Sequence, residues 1–385
     1  MEDYEEKKFI ARKENITLGG LLDTWAEEEL KTGTLSNGTV GTYLQAINRI
    51  KQHPISNRKL KTITSGHLQQ FMDLLSFGGT EGSFVSKGYS KGYVRSFSAV
   101  LQQSFRFAVS PKQYITFNPM QYVVMRHKED DLNLFGEETD TDNSKIKPLS
   151  YELYQKLIAQ LGKRSKDAIL PVQIAYFTGL RLGEVCGLTW QDINIEEQHL
   201  TVRRSIRYNG ATHKHEIGPT KRKKVRIVDF GDTLAAILRK AKQEQHKNRF
   251  RYGEFYQKNY YREVTEKNRV HYEYYHLATT ENVPEGYTEI SLVCLREDGC
   301  LELPATVESA CRTARKKVPE LENFHFHILR HTYTTNLLSN GAQPKDVQEL
   351  LGHSDVSTTM NVYAHATREA KRSSARLMDK VVGMN

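Results

Sequence analysis

Cysteine is scarce in this chain. Four are spread over 385 residues, at Cys186, Cys294, Cys300 and Cys311, and no two have C-x-x-C spacing. That spacing argues against a zinc ribbon, and a chain of this size is an unlikely place for a disulfide framework. The four read as reduced thiols in a cytosolic protein. Tryptophan occurs only twice, although tyrosine occurs 20 times. No apolar run approaches the roughly 18 residues that cross a bilayer, so no membrane partner is expected. The first residues, Met1-Glu2-Asp3-Tyr4-Glu5-Glu6-Lys7-Lys8, do not make a secretory signal peptide. There is no internal repeat and no His-Glu-x-x-His motif. His325, His327 and His331 therefore lack the carboxylate context of a metal cluster.

What is present is length, charge and helical periodicity. An apolar fraction of 38% supports real cores, and 385 residues predict two or three domains. The net charge is +9 and the pI about 9.1. That balance fits a polyanionic partner, most often nucleic acid, but equally an ordinary basic protein.

Residues 1–15 form a charged tail. Leu18, Leu21, Leu22 and Trp25 then follow helical spacing, and Tyr43, Leu44 and Ile47 mark a second helix that ends before Pro54. A third opens near Ser65, the predicted N-cap, and carries Leu68, Phe71, Met72 and Leu75 to Gly78-Gly79. A fourth runs from about Tyr89 to Val109 with Val94, Phe97, Val100, Leu101 and Phe105 on one side. Residues 16–128 thus predict a small all-helical domain. Residues 129–146 read as a solvated acidic linker, since Asp130 to Asp142 holds six acids and no base.

From residue 147 to 385 the pattern predicts a second, mixed domain. Ser150 opens a helix, a buried helix from Ala168 to Phe177 stops at Gly179, and another stretch runs from Arg181 to Leu188. Leu200-Thr201-Val202 and Lys224-Val225-Arg226-Ile227-Val228 read as strands flanking a turn around Asn209-Gly210. Residues 203–226 hold nine Lys/Arg against one Glu. Residues 243–287 are polar and read in part as a surface insertion. Helices are predicted again at Pro304–Lys317, Leu329–Ser339, Pro344–Leu351 and about Thr358–Ala366, followed by an amphipathic tail over 367–385.

Three motifs carry chemistry. They are Thr178-Gly179-Leu180-Arg181-Leu182-Gly183-Glu184, His327-Ile328-Leu329-Arg330-His331, and the run from Leu351-Gly352-His353 to Asn361-Val362-Tyr363. Guanidinium forks grip phosphate oxygens bidentately, and imidazoles donate hydrogen bonds or move protons near neutral pH. A phenol becomes a nucleophile once base and cationic neighbours favour its oxyanion. Together these groups suit attack on a phosphodiester by a tyrosine. Each is unremarkable alone: Arg181 as a surface arginine, Glu184 as its i,i+3 helix partner, His327 as a core histidine, and Tyr363 as one tyrosine of twenty.

In this order and context the motifs resemble the tyrosine recombinases of the lambda-integrase type, close to integrases of phages and conjugative transposons. The resemblance covers about residues 16–385. It implies a mainly α fold with a small antiparallel β-sheet. A helical SAM-like core-binding domain at 16–128 would form a DNA clamp with the mixed α/β catalytic domain. It implies that Arg181 and Arg330 grip the scissile phosphate and Glu184 orients Arg181. His327 would assist proton transfer or bond a phosphate oxygen, His353 would donate to a non-bridging oxygen, and Tyr363 would attack. Lys221 is the candidate general acid, with Lys223 and Lys224 close enough to compete. Lys91 and Arg95, at a helix start, and Arg203, Arg204, Lys223 and Lys224 are candidate DNA contacts.

The expected reaction cuts and rejoins DNA through a 3′-phosphotyrosyl intermediate, for integration or excision of a mobile element, without metal, ATP or other cofactor. Expected partners are duplex DNA with specific recombination sites and three further copies in a homotetramer on two sites, with the tail docking in trans. Excision or DNA-bending accessory proteins complete the set. Residues 1–15 are too short and acidic for the arm-site-binding domain of larger integrases. The expectation is either a chain that lacks that domain or one that works without arm sites. Two alternatives share part of this pattern: a type IB topoisomerase-like relaxase and a catalytically inactive DNA-binding regulator.

Overall fold

The structure, a computed structural model, describes residues 15–33, 35, 37–127, 148–209, 213–220, 224–266 and 269–352. The chain divides into two compact units. The first holds the described residues 15–127 and the second nearly all of 148–352.

The first unit is helical. Helix α1, Leu18–Trp25, is opened by Thr17, whose hydroxyl accepts from the Gly20 amide at 3.2 Å, and it continues into a π turn at Ala26–Leu30. Helices α2 (Asn37–Lys51), α3 (Ser65–Phe77) and α4 (Lys91–Val109) follow. The apolar spacing closes one core: Leu18, Leu21, Leu22, Leu68, Phe71, Leu75, Val94, Phe97, Leu101 and Phe105 are all buried in it. The cap of α3 is Thr64 and not Ser65. Its hydroxyl accepts from the His67 amide at 3.3 Å while the His67 ring accepts from the Thr64 amide. Past Gly78 the chain makes a short hairpin, β1 (Gly79–Glu81) with β2 (Phe84–Ser86), where the sequence showed only a glycine stop.

The second unit begins with α5, Tyr151–Arg164, capped by the Ser150 hydroxyl. Helix α6, Ile169–Thr178, is apolar on nearly every side and central to the core, and α7, Leu182–Cys186, follows it. Strands β3 (Ile193–Asn194), β4 (His199–Val202) and β7 (Arg226–Asp229) form one antiparallel sheet in the order β3-β4-β7. Strands β4 and β7 therefore pair directly, Leu200 opposite Val228. They do not flank a turn at Asn209-Gly210. The residues between them supply β5 (Arg204–Asn209) and β6 (Lys214–Pro219), which join a second sheet.

Residues 243–287 are largely regular structure. They hold the second half of α8 (Asp232–Tyr252), then β8 (Gln257–Glu266) paired in full with β9 (Arg269–Ala278), and most of β10 (Tyr287–Glu289) begins where they end. The second sheet runs β10-β8-β9-β6-β5. Helices α9 (Pro304–Arg315), α10 (His327–Ser339) and α11 (Pro344–Leu351) complete the described chain. The architecture is mainly helical with small antiparallel sheets. No helix among the described residues is long and apolar enough to cross a membrane.

Candidate active site

The site is assembled where three helix ends meet. Helix α6 stops at Gly179, which takes a left-handed conformation at φ 65°. A Cβ there would lie 2.6 Å from Tyr333 Cδ1 and 2.8 Å from Leu351 Cδ2, so only glycine lets α6, α10 and α11 converge. Two residues later, extended Arg181 forms the N-cap of α7. Its amide donates to Glu184 Oε2 at 3.1 Å and its Nη1 to Oε1 at 3.1 Å. The predicted supporting role of Glu184 thus has a geometry. The carboxylate lies under Arg181, only 1% exposed, while the Arg181 side chain stays 30% exposed.

Helix α10 begins at His327, which places Arg330 one turn further in. Arg330 is buried, and its Nη1 donates to the Gly179 carbonyl at 2.9 Å and its Nη2 to the Leu351 carbonyl at 2.7 Å. Both acceptors are at helix C-termini, where carbonyls lack an intrahelical partner. Burial, then repulsion from Arg181, pushes Arg330 down to about 9, with Glu184 pulling the other way. It remains a cation at neutral pH.

The His327 ring is crowded by protein on one side and open to solvent on the other. That crowding, followed by His331, Arg330, Arg181 and His325, drives its pKa down to about 4. Its ring meets that of His331 edge-on, with centroids 4.9 Å apart. A neutral imidazole beside two guanidiniums is suited to hydrogen-bonding an anion or taking part in proton transfer.

Sequence reasoning passed over one member. Arg226, first residue of β7, donates Nη2 to Glu184 Oε2 at 2.7 Å, Nη1 to Oε1 at 3.3 Å and Nε to the Leu350 carbonyl at 2.9 Å. It sat in a basic run that suggested phosphate contact. The available signal was strand alternation, which puts Arg226 on the same face as buried Val228. Burial alone would raise the Glu184 pKa, but Arg226 first and then Arg181 hold it below the usual carboxylate value. Three arginines against one carboxylate leave a surplus of two positive charges in the cluster.

The other predicted residues fall in several places. Lys221, Lys223, His353 and Tyr363 lie outside the described residues, as do the predicted helix at 358–366 and the tail. Lys224 is exposed, and its carbonyl accepts from the buried Thr220 hydroxyl at 2.8 Å across the ends of the 221–223 segment. Arg203 and Arg204 are both paired with Asp192, Arg203 through Nε at 3.1 Å and Arg204 through Nη1, which also reaches the Thr189 hydroxyl. Arg203 nevertheless stays 54% exposed and Arg204 26% exposed. Lys91 and Arg95 are exposed, one turn apart at the start of α4 in the first unit, with no ion pair among the described residues.

Comparison with known proteins places this geometry in context. The profile of the phage integrase family matches residues 149–370. A XerC-like tyrosine recombinase of Caldanaerobacter subterraneus subsp. tengcongensis is 25% identical over 379 residues, covering 95% of this chain and 83% of that protein. The integrase of Staphylococcus phage L54a is 20% identical over 99% of this chain and 98% of its own. Among solved structures, the Tn1549 transposon integrase in complex with transposon right end DNA superposes with a TM-score of 0.66 at 18% identity. That match covers 94% of this chain and 99% of the other. A lambda integrase tetramer bound to a Holliday junction gives 0.56 at 16% identity, with 92% and 79% covered. These two structural likenesses concern the fold.

Proposed function

The chain belongs to the phage integrase family and is a tyrosine recombinase, a DNA strand transferase, and from that premise we propose how its residues divide the work. Duplex DNA is the substrate; the Tn1549 integrase has been solved in complex with transposon right end DNA and a lambda integrase dimer bound to a core site. The observation that carries the assignment is the surplus of positive charge at Arg181 and Arg330 beside a neutral imidazole. Such a cluster is completed by an anion, and a scissile phosphodiester supplies one.

The Tyr363 hydroxyl attacks the phosphorus in line. The Tyr363 Oη–P bond forms as the P–O5′ bond breaks, and the phenolic proton passes to neutral His327 or to solvent. Lys221, or its neighbours Lys223 and Lys224, donates a proton to the departing 5′-oxygen. Arg181 and Arg330 stabilise charge on the non-bridging oxygens, because planar forks match phosphate better than point charges do. His327 and His353 hydrogen-bond the same group. The 3′-phosphotyrosyl bond stores the phosphodiester energy, and a 5′-hydroxyl from a partner strand reverses the step. The guanidiniums occupy the place that a metal ion takes in other phosphoryl transferases.

Assembly extends the proposal. Four copies on two DNA sites would exchange strands in pairs, a reading supported by the lambda integrase tetramer bound to a Holliday junction. The tail at 367–385 would dock on the next copy and delay cleavage until the synapse is complete. Exposed Lys91 and Arg95 would contact DNA phosphates from the first unit. Excision or bending proteins would bias the direction. The test of the core proposal is a nicked suicide substrate carrying one recombination site. A covalent complex that resists SDS is expected, and relaxation of supercoils at random sites without a site-specific complex would overturn it.

A further inference from the structure

Arg226 is bound both to the carboxylate that holds Arg181 and to the helix end that Arg330 holds. Its side chain is 10% exposed. Both ends of its fork are bound to Glu184, and Glu184 in turn uses one oxygen to hold the Arg181 fork and the other to cap its amide. Its Nε–H is bound to the Leu350 carbonyl. The next carbonyl along, that of Leu351, is held by Arg330. Two arginines thus fix adjacent carbonyls in the last turn of α11. Immediately beyond lies Gly352, left-handed at φ 66°, where a Cβ would stand 3.1 Å from Arg226 Cδ. The next residue is His353.

We propose that Arg226 is a positioning residue for strand cleavage, aligning Arg181 through Glu184 and the α11 corner that leads to His353 through the Leu350 carbonyl. The proposal rests on the assignment of Arg181 and His353 to the scissile phosphate. Lysine cannot replace Arg226 in this role. It supplies a point charge without the fixed fork, so it cannot hold two carboxylate oxygens and a carbonyl in one plane. A structural ion pair would need only the charge. An alignment device needs the geometry, because shifts near 1 Å at a phosphate clamp cost about 100-fold in rate.

The experiment compares wild type, Arg226→Lys and Arg181→Lys in single-turnover formation of the covalent complex on two suicide substrates. One has a normal scissile phosphate and the other a methylphosphonate, in which a methyl replaces one charged oxygen. The neutral group asks less of the guanidinium clamp. If Arg226 acts through Arg181, Arg226→Lys slows cleavage of the phosphate by about 10–100-fold. Its defect then shrinks on the methylphosphonate, as does that of Arg181→Lys, with DNA affinity unchanged. A merely structural role lowers the amount of active protein and so slows both substrates by the same factor. Both substrates meet the same preparation, so loss of folded protein cancels in their ratio. Arg226→Gln, which keeps N–H donors without the charge, replaces Arg226→Lys if the lysine variant does not fold.

Equal defects on both substrates, or wild-type cleavage by Arg226→Lys, would overturn the proposal. Indifference of the Arg181→Lys variant to the substrate would instead remove the phosphate assignment on which it rests.

Discussion

Replacing Glu184 by glutamine keeps the volume and removes the charge, and the structure gives the size of the effect. Glu184 is 1% exposed and accepts four hydrogen bonds: from the Arg181 amide, Arg181 Nη1, Arg226 Nη1 and Arg226 Nη2. Glutamine offers one acceptor oxygen. Each carboxylate oxygen accepts from both arginines, so the amide nitrogen would face one donor of Arg181 and one of Arg226, donor against donor. Arg226 would then stay buried without its counter-charge. Breaking a buried pair by removing one partner costs about 3–5 kcal/mol. In a unit of this size each kcal/mol moves the melting temperature by about 2–4 °C. Glu184→Gln should therefore lower the melting transition of the catalytic unit by about 6–20 °C, measured by calorimetry on the whole chain. The transition of the helical unit should stay in place. A shift of the catalytic transition below about 2 °C would refute the reasoning, because it would mean that neither arginine depends on this carboxylate.

Three further predictions follow from the same corner of the fold. Gly179→Ala should destabilise the catalytic unit by about 2–5 kcal/mol, combining the left-handed penalty with the clash against Tyr333 and Leu351; an unchanged denaturation midpoint would show that the corner yields freely. His327 has a folded pKa near 4 against an ordinary 6.5, so the native state binds fewer protons than the unfolded chain between those values. Its contribution is present above pH 6.5 and lost as pH falls toward 4, so His327→Gln should gain stability relative to wild type over that window, and a constant difference in melting temperature would contradict the sign. Arg181→Lys should bind its DNA site but form the covalent complex on the order of 100-fold more slowly, and near-normal cleavage would place Arg181 outside the site.

The helices of the first unit were legible because apolar spacing alone decides their faces. Phe97 and Leu101 recur on one side of α4, and both are fully buried. The end of α6 was legible for a local reason too, since a glycine after an apolar helix can take the left-handed turn. Arg181 and Glu184 were readable as a pair because they are three residues apart. Arg226 was not, because its partners are 42 residues earlier at Glu184 and 124 later at Leu350. In the sequence it is one base in a basic run.

The β8–β9 hairpin was hidden for another reason. Its stability comes from cross-strand partners such as Glu273 with Lys214 and Arg262, and its polar faces carry no simple alternation. The pairing of Arg203 and Arg204 with buried Asp192 was hidden too, because the local sequence does not point to that carboxylate.

The central claim is that Tyr363 forms the bond to DNA. The most direct measurement is to trap the complex on a suicide substrate in EDTA, digest it with trypsin and nuclease, and locate the modified peptide by mass spectrometry. Cleavage after Lys345 and Arg368 isolates residues 346–368, in which Tyr363 is the one tyrosine. The account predicts a nucleotide-bearing peptide 346–368, and none from the Tyr363→Phe variant. The adduct on another peptide, such as the Tyr333 peptide 331–345, would contradict it.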